Sequence, residues 1–481
     1  MEAFLLARST GELSQTSFER VTTTGLVRSF APAPQHRFSG EADNSEDEGP
    51  NPNNSIWAHR TGVSALALDK FDGRLLLSGG ADGSLKLWDL HHASNPNSSH
   101  TFRPIANIPR SIAGEGSSHT HGITHLDFYP FDAEAFISSS YDRSLKVWSS
   151  QRMAVSGNFN LKSTIYTHAM SPVADHLLVA CATQHEHVRL VDLKSGSMVQ
   201  SLVANGGAVL SVAWSPRREH VVATGHVDGK VRIWDVRRAS GIMGQLDQED
   251  NLGIVHRFKH AMASGMNWNQ MPHFRSSALA HHGGVNGLTW TDDGKYIVSS
   301  GLDCRIRLWD AATGANMLTS FGPVIQNQQP KTIDMFVTPA RLTPAGRELL
   351  FWPNEQEILV MDLHEGMLIS RLRVPGPSTA AGGQGIGGLN VKNRTMGMVW
   401  RGNGGYRFPK GPVMGGGSAC GAVYSAHLDG QIRTWMPRLK GPDQDDDTPE
   451  PLDRDEENTH RKRKALDDAF RSLMGRQITF G

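Results

Sequence analysis

Only three cysteines, Cys181, Cys304 and Cys420, occur in 481 residues. They are too few and too scattered for a disulfide framework or a zinc site, and they suit a reducing compartment. An excess of charge is missing as well: 48 basic and 48 acidic residues leave a formal net charge of zero, so no global field draws the chain to nucleic acid. No apolar run approaches the roughly 20 residues of a membrane helix, and the patch Ala3 to Ala7, beside Glu2, is too short for a secretory signal. The 50 glycines form no phosphate-binding loop. Histidine pairs such as His91 and His92, His119 and His121, and His281 and His282 lie in loops and are not expected to hold a metal. These absences point to a soluble intracellular protein without cofactor, membrane segment or direct nucleic-acid site.

What is present is a repeat. Five times an aspartate stands six residues before a tryptophan, as Asp82 and Trp88, Asp142 and Trp148, Asp228 and Trp234, Asp303 and Trp309, and Asp429 and Trp435. A hydroxyl residue stands ten before each tryptophan: Ser78, Ser138, Thr224, Ser299 and Ser425. Segments such as LLLSGGADGSLKLWDL and VVATGHVDGKVRIWDV read as an apolar strand, a tight turn around Asp, and a second strand. His59, His119 and His281 precede the apolar residues Leu68, Phe128 and Trp290 by nine positions. His, Ser or Thr, Asp and Trp at these offsets resemble the hydrogen-bonded tetrads of WD-repeat blades, where the indole donates to the hydroxyl and the imidazole bridges hydroxyl and aspartate. The Gly-rich seventh copy is read as lacking its histidine.

Two weaker copies carry Val191-Asp192 and Met361-Asp362 in the Trp-Asp places. Seven blades are therefore expected, at about 56–90, 119–149, 164–193, 206–236, 281–311, 333–363 and 396–436. The expected fold is an all-β, seven-bladed WD-repeat β-propeller over residues 56–436, whose closure leaves only short protected edges. The first and last blades are expected to share strands across that closure. Residues 1–30 read as a helix-loop-helix extension broken at Ser9 to Gly11, 31–55 as a flexible linker, and 437–481 as a disordered tail. Polar inserts are expected to emerge as loops at His91 to Ser118, Arg237 to Leu279, Pro375 to Asn390 and Arg401 to Ser418. The tail holds nine acidic residues between Asp443 and Glu457 and then Arg461, Lys462, Arg463 and Lys464, the pattern of a nuclear import signal.

No catalytic set stands out. The tetrad's serine, histidine and aspartate match a hydrolase triad only by residue type; the hydroxyl that accepts from the buried indole recurs in every good copy, so the job is structural and the chain reads as non-enzymatic. One unit differs: only VRIWDVRRASG continues Trp234-Asp235-Val236-Arg237. It resembles the WD-x-R box of substrate receptors of cullin-4 RING ubiquitin ligases. Together with MEAFLLARSTG, TIYTHAMSPV, VRLVDLKSGS and SVAWSPRREHVVATGHVDGK, it resembles the Cockayne syndrome group A family from residue 1 to about Ala311.

The resemblance implies a receptor in transcription-coupled nucleotide excision repair, located in the nucleus. Its implied partners are the triple-propeller damaged-DNA-binding adaptor, the cullin-4 RING ligase, a Swi2/Snf2-type translocase and RNA polymerase II. It also implies that Phe4, Leu5, Leu6 and Arg8, with Arg237, anchor the adaptor. The alternative is a propeller scaffold of a chromatin or RNA-processing complex without ligase coupling.

Overall fold

The computed structural model describes residues 6, 9–12, 14, 28–40, 57–90, 99–111, 118–238, 242–253, 278–338, 346–373, 394–401 and 421–437. Two short strands, β1 (Phe30–Pro32) and β2 (His36–Phe38), come first. The first blade is β3 (Val63–Leu68), β4 (Leu75–Gly80), β5 (Leu85–Asp89) and β7 (Pro104–Ile108), with β6 (His100–Phe102) between its last two strands. The second is β8 (Ile123–Phe128), β9 (Ala135–Ser140), β10 (Ser144–Ser149) and β11 (Ala154–Asn160). The third is β12 (Ile165–Met170), β13 (Leu178–Thr183), β14 (His187–Asp192) and β15 (Ser197–Val203). The fourth is β16 (Val209–Trp214), β17 (Val221–His226), β18 (Val231–Asp235) and β19 (Ile242–Gln245).

In the fifth, three strands are described, β20 (Val285–Trp290), β21 (Tyr296–Gly301) and β22 (Arg305–Asp310). The sixth is β23 (Phe336–Val337), β24 (Leu349–Pro353), β25 (Ile358–Asp362) and β26 (Leu368–Leu372). The seventh is β27 (Thr395–Arg401), β28 (Ala422–His427), β29 (Ile432–Pro437) and, from the other end of the chain, β1. Each first strand touches the first strands of both neighbouring blades, from β3 round to β27 and back, which closes a seven-membered ring.

Closure explains why the strands are apolar on both sides. Each blade is sandwiched between two others, so alternate residues face opposite neighbours: Leu76 and Trp88 pack toward the seventh blade, Leu77 and Leu87 toward the second. Seven clusters result, one between each successive pair of blades. At about 25 cal/mol per Å² of apolar surface removed from water, these seven cores are the main favourable term in the fold.

Three expectations need correction. Residues 31–55 are not a linker throughout. Phe30, Ala31 and Pro32 pair with Pro437, Met436 and Trp435 as the outer strand of the seventh blade, so the propeller begins at residue 30 rather than 56. Proline is tolerated there because an edge strand has amides outside the ladder. The strap continues through β2, parallel to β6, and Phe38 lodges against Trp88, Phe102 and Tyr424 with ring centroids 5.3, 4.8 and 6.0 Å away. Next, the stretches at 91–118 and 237–279 are not loops throughout, because β7 and β19 are the outer strands of the first and fourth blades.

Finally, no helical element stands among the described residues of the N-terminal stretch. The Thr10 amide donates to the Leu6 carbonyl at 2.9 Å and Gly11 turns at φ +79°, a single turn at the expected break. Most of the expected helix-loop-helix, and the whole tail from 438 on, lie outside the described residues. No described helix is long and apolar enough to cross a membrane.

Because Phe38 fills the seam where the two ends of the chain meet, Phe38→Ala is expected to cost about 3–5 kcal/mol. Denaturant midpoints check this, with the exposed Leu6→Ala as the unaffected control.

Candidate functional site

Strand order divides the molecule into two faces. Turns between second and third strands, and entries into first strands, lie on one face; it carries the repeat aspartates. Turns after the first and third strands lie on the other.

On the first face the tetrads assemble. Trp88, Trp148, Trp234, Trp309 and Trp435 are at most 1% exposed. Their indole N–H groups donate to Ser78, Ser138, Thr224, Ser299 and Ser425 at 2.7–2.8 Å. His119 and His281 join hydroxyl to carboxylate as expected, at 2.6 and 2.8 Å to Ser138 and Asp142, and 2.8 and 3.0 Å to Ser299 and Asp303. At His119 the carboxylate only accepts, so Nδ1 carries the proton and Nε2 accepts a hydrogen bond from the serine hydroxyl, leaving the serine oxygen for the indole. At His281 the Arg307 guanidinium also lies 2.7 Å from Nδ1 and bonds Asp303 itself at 3.0 Å. In the first blade Ser84 stands between: His59 Nδ1 meets Ser84 Oγ at 2.8 Å, and Ser84 donates to Asp82 at 2.6 Å.

The seventh blade does not lack its histidine. His427 Nε2 meets Ser425 Oγ at 2.8 Å, and in the fourth blade His226 meets Thr224 at the same distance. Both stand two residues after the hydroxyl, where the other blades have Gly80, Ser140 and Gly301. In the first and fifth blades the two routes exclude each other, since a Cβ on Gly80 or Gly301 would lie 2.6 or 2.5 Å from the Nδ1 of His59 or His281, whereas in the second blade Ser140 is accommodated beside His119. In these two blades Asp228 and Asp429 are held by Arg232 and Arg433 at 2.9 and 2.6 Å, not by imidazole.

The sequence reading missed those cations. Two residues before each tryptophan stands a base, Lys86, Lys146, Arg232, Arg307 or Arg433, a spacing as regular as the others. In the third and sixth blades Cys181 and Trp352 take the hydroxyl place, and Val191 and Met361 the tryptophan place. These layers are apolar, and burial pushes the Cys181 thiol well up.

The second face carries the unit that stood apart. Arg237, at the exit of β18, clamps Asp235 in a bidentate pair at 3.0 and 2.8 Å. Asp235's side chain is 5% exposed and Arg237's 63%, so the buried carboxylate orients a guanidinium that faces solvent. That bond holds Asp235 below the usual carboxylate range. Beside them opens a recess of about 530 Å³, whose rim includes Val173, Arg217, Arg218, Glu219, His220 and Arg238. Four arginines against Asp235 and Glu219 make it basic. Of the other expected anchors, Leu6 is exposed, and Phe4, Leu5 and Arg8 lie outside the described residues, as do Arg461, Lys462, Arg463 and Lys464.

The repeat family described as WD domain, G-beta repeat matches residues 51–89, 113–149, 196–235 and 274–310, in the first, second, fourth and fifth blades. The WD repeat-containing protein ATCSA-1 of Arabidopsis thaliana is 32% identical over 315 residues, 55% of this chain and 70% of the plant protein. The chain belongs to the Cockayne syndrome group A type of WD-repeat proteins. More distant likenesses are Radiation-sensitive protein 28 of Saccharomyces cerevisiae, 26% identical over 40% of this chain and 38% of that one, and the ribosome biogenesis protein YTM1 of Phaeosphaeria nodorum, 23% identical over 42% and 47%. The chain thus spans less than half of either of these two.

In this group A type chain the imidazoles are stability elements with a definite pH signature. Burial lowers His119, His168, His226, His281 and His427, and burial with the charge of Lys86 pushes His59 down to about 3. The folded state keeps them neutral while the unfolded chain protonates near 6.5. Stability is therefore full above about pH 7 and falls as pH drops below 6.5, by up to about 1.4 kcal/mol per pH unit per group. Thermal melting at pH 7.5, 6.5 and 5.5 is expected to show a progressive fall, less steep in His226→Gln. Trp234→Ala, which empties a core position and removes the indole donor to the Thr224 hydroxyl, is expected to cost about 3–5 kcal/mol in denaturant melts.

Proposed function

We propose that the chain is the substrate-recognition subunit of a cullin-4 type RING E3 ubiquitin ligase acting in transcription-coupled nucleotide excision repair. The observation that carries this is Arg237, displayed to solvent by buried Asp235 at the rim of a basic recess. A planar, permanently charged fork suits backbone carbonyls and carboxylates on a partner surface. The damaged-DNA-binding adaptor docks on this face, with Phe4, Leu5 and Leu6 of the N-terminal segment as the apolar anchors and Arg8 beside them. Arg461 to Lys464 direct the chain to the nucleus.

The chain performs no bond chemistry in this reading. It holds cargo, such as a Swi2/Snf2-type translocase or stalled RNA polymerase II, so that a cargo lysine meets the ubiquitin-charged enzyme at high effective concentration. The tetrad side chains are engaged inside the blades, so recognition falls to other residues of the same face. The likeness to ribosome biogenesis proteins supports the second reading, a scaffold of an RNA-processing complex without ligase coupling.

Pull-down of the adaptor by the full chain separates the two. Combining Arg237→Ala with Leu5→Asp is expected to abolish capture while leaving the melting temperature within a few degrees of wild type. Capture unchanged by both substitutions, or absent from the wild-type chain, sinks the receptor reading.

A further inference from the structure

The mouth of the central channel on the aspartate face is built differently from the rest of the ring. In six blades the register of the first strand shifts at its second residue, at Ser64, Thr124, Tyr166, Leu210, Asn286 and Met396. Such a bulge withdraws a residue from the ladder and leaves its carbonyl for other donors.

The segment Gln326 to Ile333, between the fifth and sixth blades, uses these carbonyls. Lys331 Nζ donates to Ser64 O at 3.0 Å and Thr332 Oγ1 to Leu210 O at 3.1 Å, so the segment reaches both the first and fourth blades. It is pinned by a reciprocal amide pair, Asn286 and Asn327, at 2.8 Å in each direction. The segment therefore lies across the channel mouth.

Crossing the mouth leaves a cavity of about 40 Å³ lined by Lys331, Arg394, Thr395 and one carboxylate, Glu355, among others. Thr395 is 6% exposed, and its hydroxyl has no hydrogen-bond partner among the described residues. Burial lowers Lys331 to about 8, so it keeps its charge at neutral pH, and Arg394 acts electrostatically on both Lys331 and the exposed Tyr141. Arg60, Arg143, Lys162 and Lys230 stand in the turns of the same face. Lys331 also feels a carboxylate, Asp334, whose own pKa burial raises. The other five cations form no ion pair among the described residues, whereas the repeat aspartates are bonded within their own blades.

We propose that this mouth is the cargo-docking site and takes an acidic peptide segment, with one carboxylate held between Lys331 and Arg394 and an apolar side chain against Tyr141. The proposal rests on the reading of the chain as a substrate receptor and names the chemistry of its cargo. A pair of charge-assisted bonds with an unmatched hydroxyl fits a carboxylate in a cavity of this size. A nucleic acid would need a basic track along its backbone rather than one enclosed spot.

Fluorescence anisotropy with the full chain and a labelled ten-residue peptide of alternating aspartate and alanine tests it. Arg394→Glu and Lys331→Gln are each expected to weaken binding about tenfold or more, consistent with loss of a charge-assisted bond, and Arg394→Lys to restore most of it. Arg237→Ala leaves peptide binding unchanged, and Arg394→Glu leaves adaptor capture unchanged, so failure here and failure of the ligase reading are told apart. Lys331 reaches into the ring, whereas Arg394 is only half-buried, so the arginine variant decides should the lysine variant unfold. The proposal is overturned by absence of peptide binding in wild type, by undiminished binding in Arg394→Glu, or by a single-stranded oligonucleotide that displaces the peptide at lower concentration.

Discussion

A buried indole N–H must find an acceptor, and in a dry interior an unmatched donor costs about 1–3 kcal/mol. The tetrads of this propeller follow from that constraint. Ser78, Ser138, Thr224, Ser299 and Ser425 supply the acceptor, which consumes the lone pair facing the tryptophan and forces the hydroxyl proton outward. An imidazole receives that proton, and the Asp turn is tied in by imidazole, serine or arginine according to the blade. Where tryptophan is replaced by Val191 or Met361, the acceptor position turns apolar too, as Cys181 and Trp352. Donor and acceptor are kept or dropped together, although Trp352 Nε1 is itself without a partner among the described residues.

This division of labour leaves few side chains free for partners, and they lie on opposite faces. On one, Asp235 is buried so that Arg237 can be presented. On the other, the Gln326 to Ile333 segment crosses the channel and sets Lys331 beside Arg394. Both arrangements place charge on a rigid frame by an internal bond, which lowers the cost of ordering a long side chain when a partner arrives.

Much of the ring could be read in the chain because its spacing repeats. Ser78 to Trp88 has the same offset as Ser425 to Trp435, and even Val191 and Met361 were placed correctly by analogy. The histidines were harder. His226 and His427 stand in plain view two residues after the hydroxyl, yet a search upstream of each blade passes over them. Only the short distance from Gly80 to His59 Nδ1 shows that one imidazole can enter the same pocket by either route. The base two residues before each tryptophan is as regular as the hydroxyl, at Lys86, Lys146, Arg232, Arg307 and Arg433, but only the fold shows Arg232 and Arg433 closing on the turn aspartates.

The closing strand shows where local reading ends. Phe30, Ala31 and Pro32 form a strand because β29 offers an unpaired edge about 400 residues later in the chain, a partner that no local propensity announces. Cavities at the channel mouth and beside Arg237 likewise arise from residues far apart in the chain. Periodicity was enough to determine the blade count, the core positions and the hydroxyl–tryptophan pairs, because each blade is one local hairpin unit repeated. Ring closure, the exchange of histidine positions and the meeting of Lys331 with Arg394 depend on which surfaces packing brings together, and that was settled only in three dimensions.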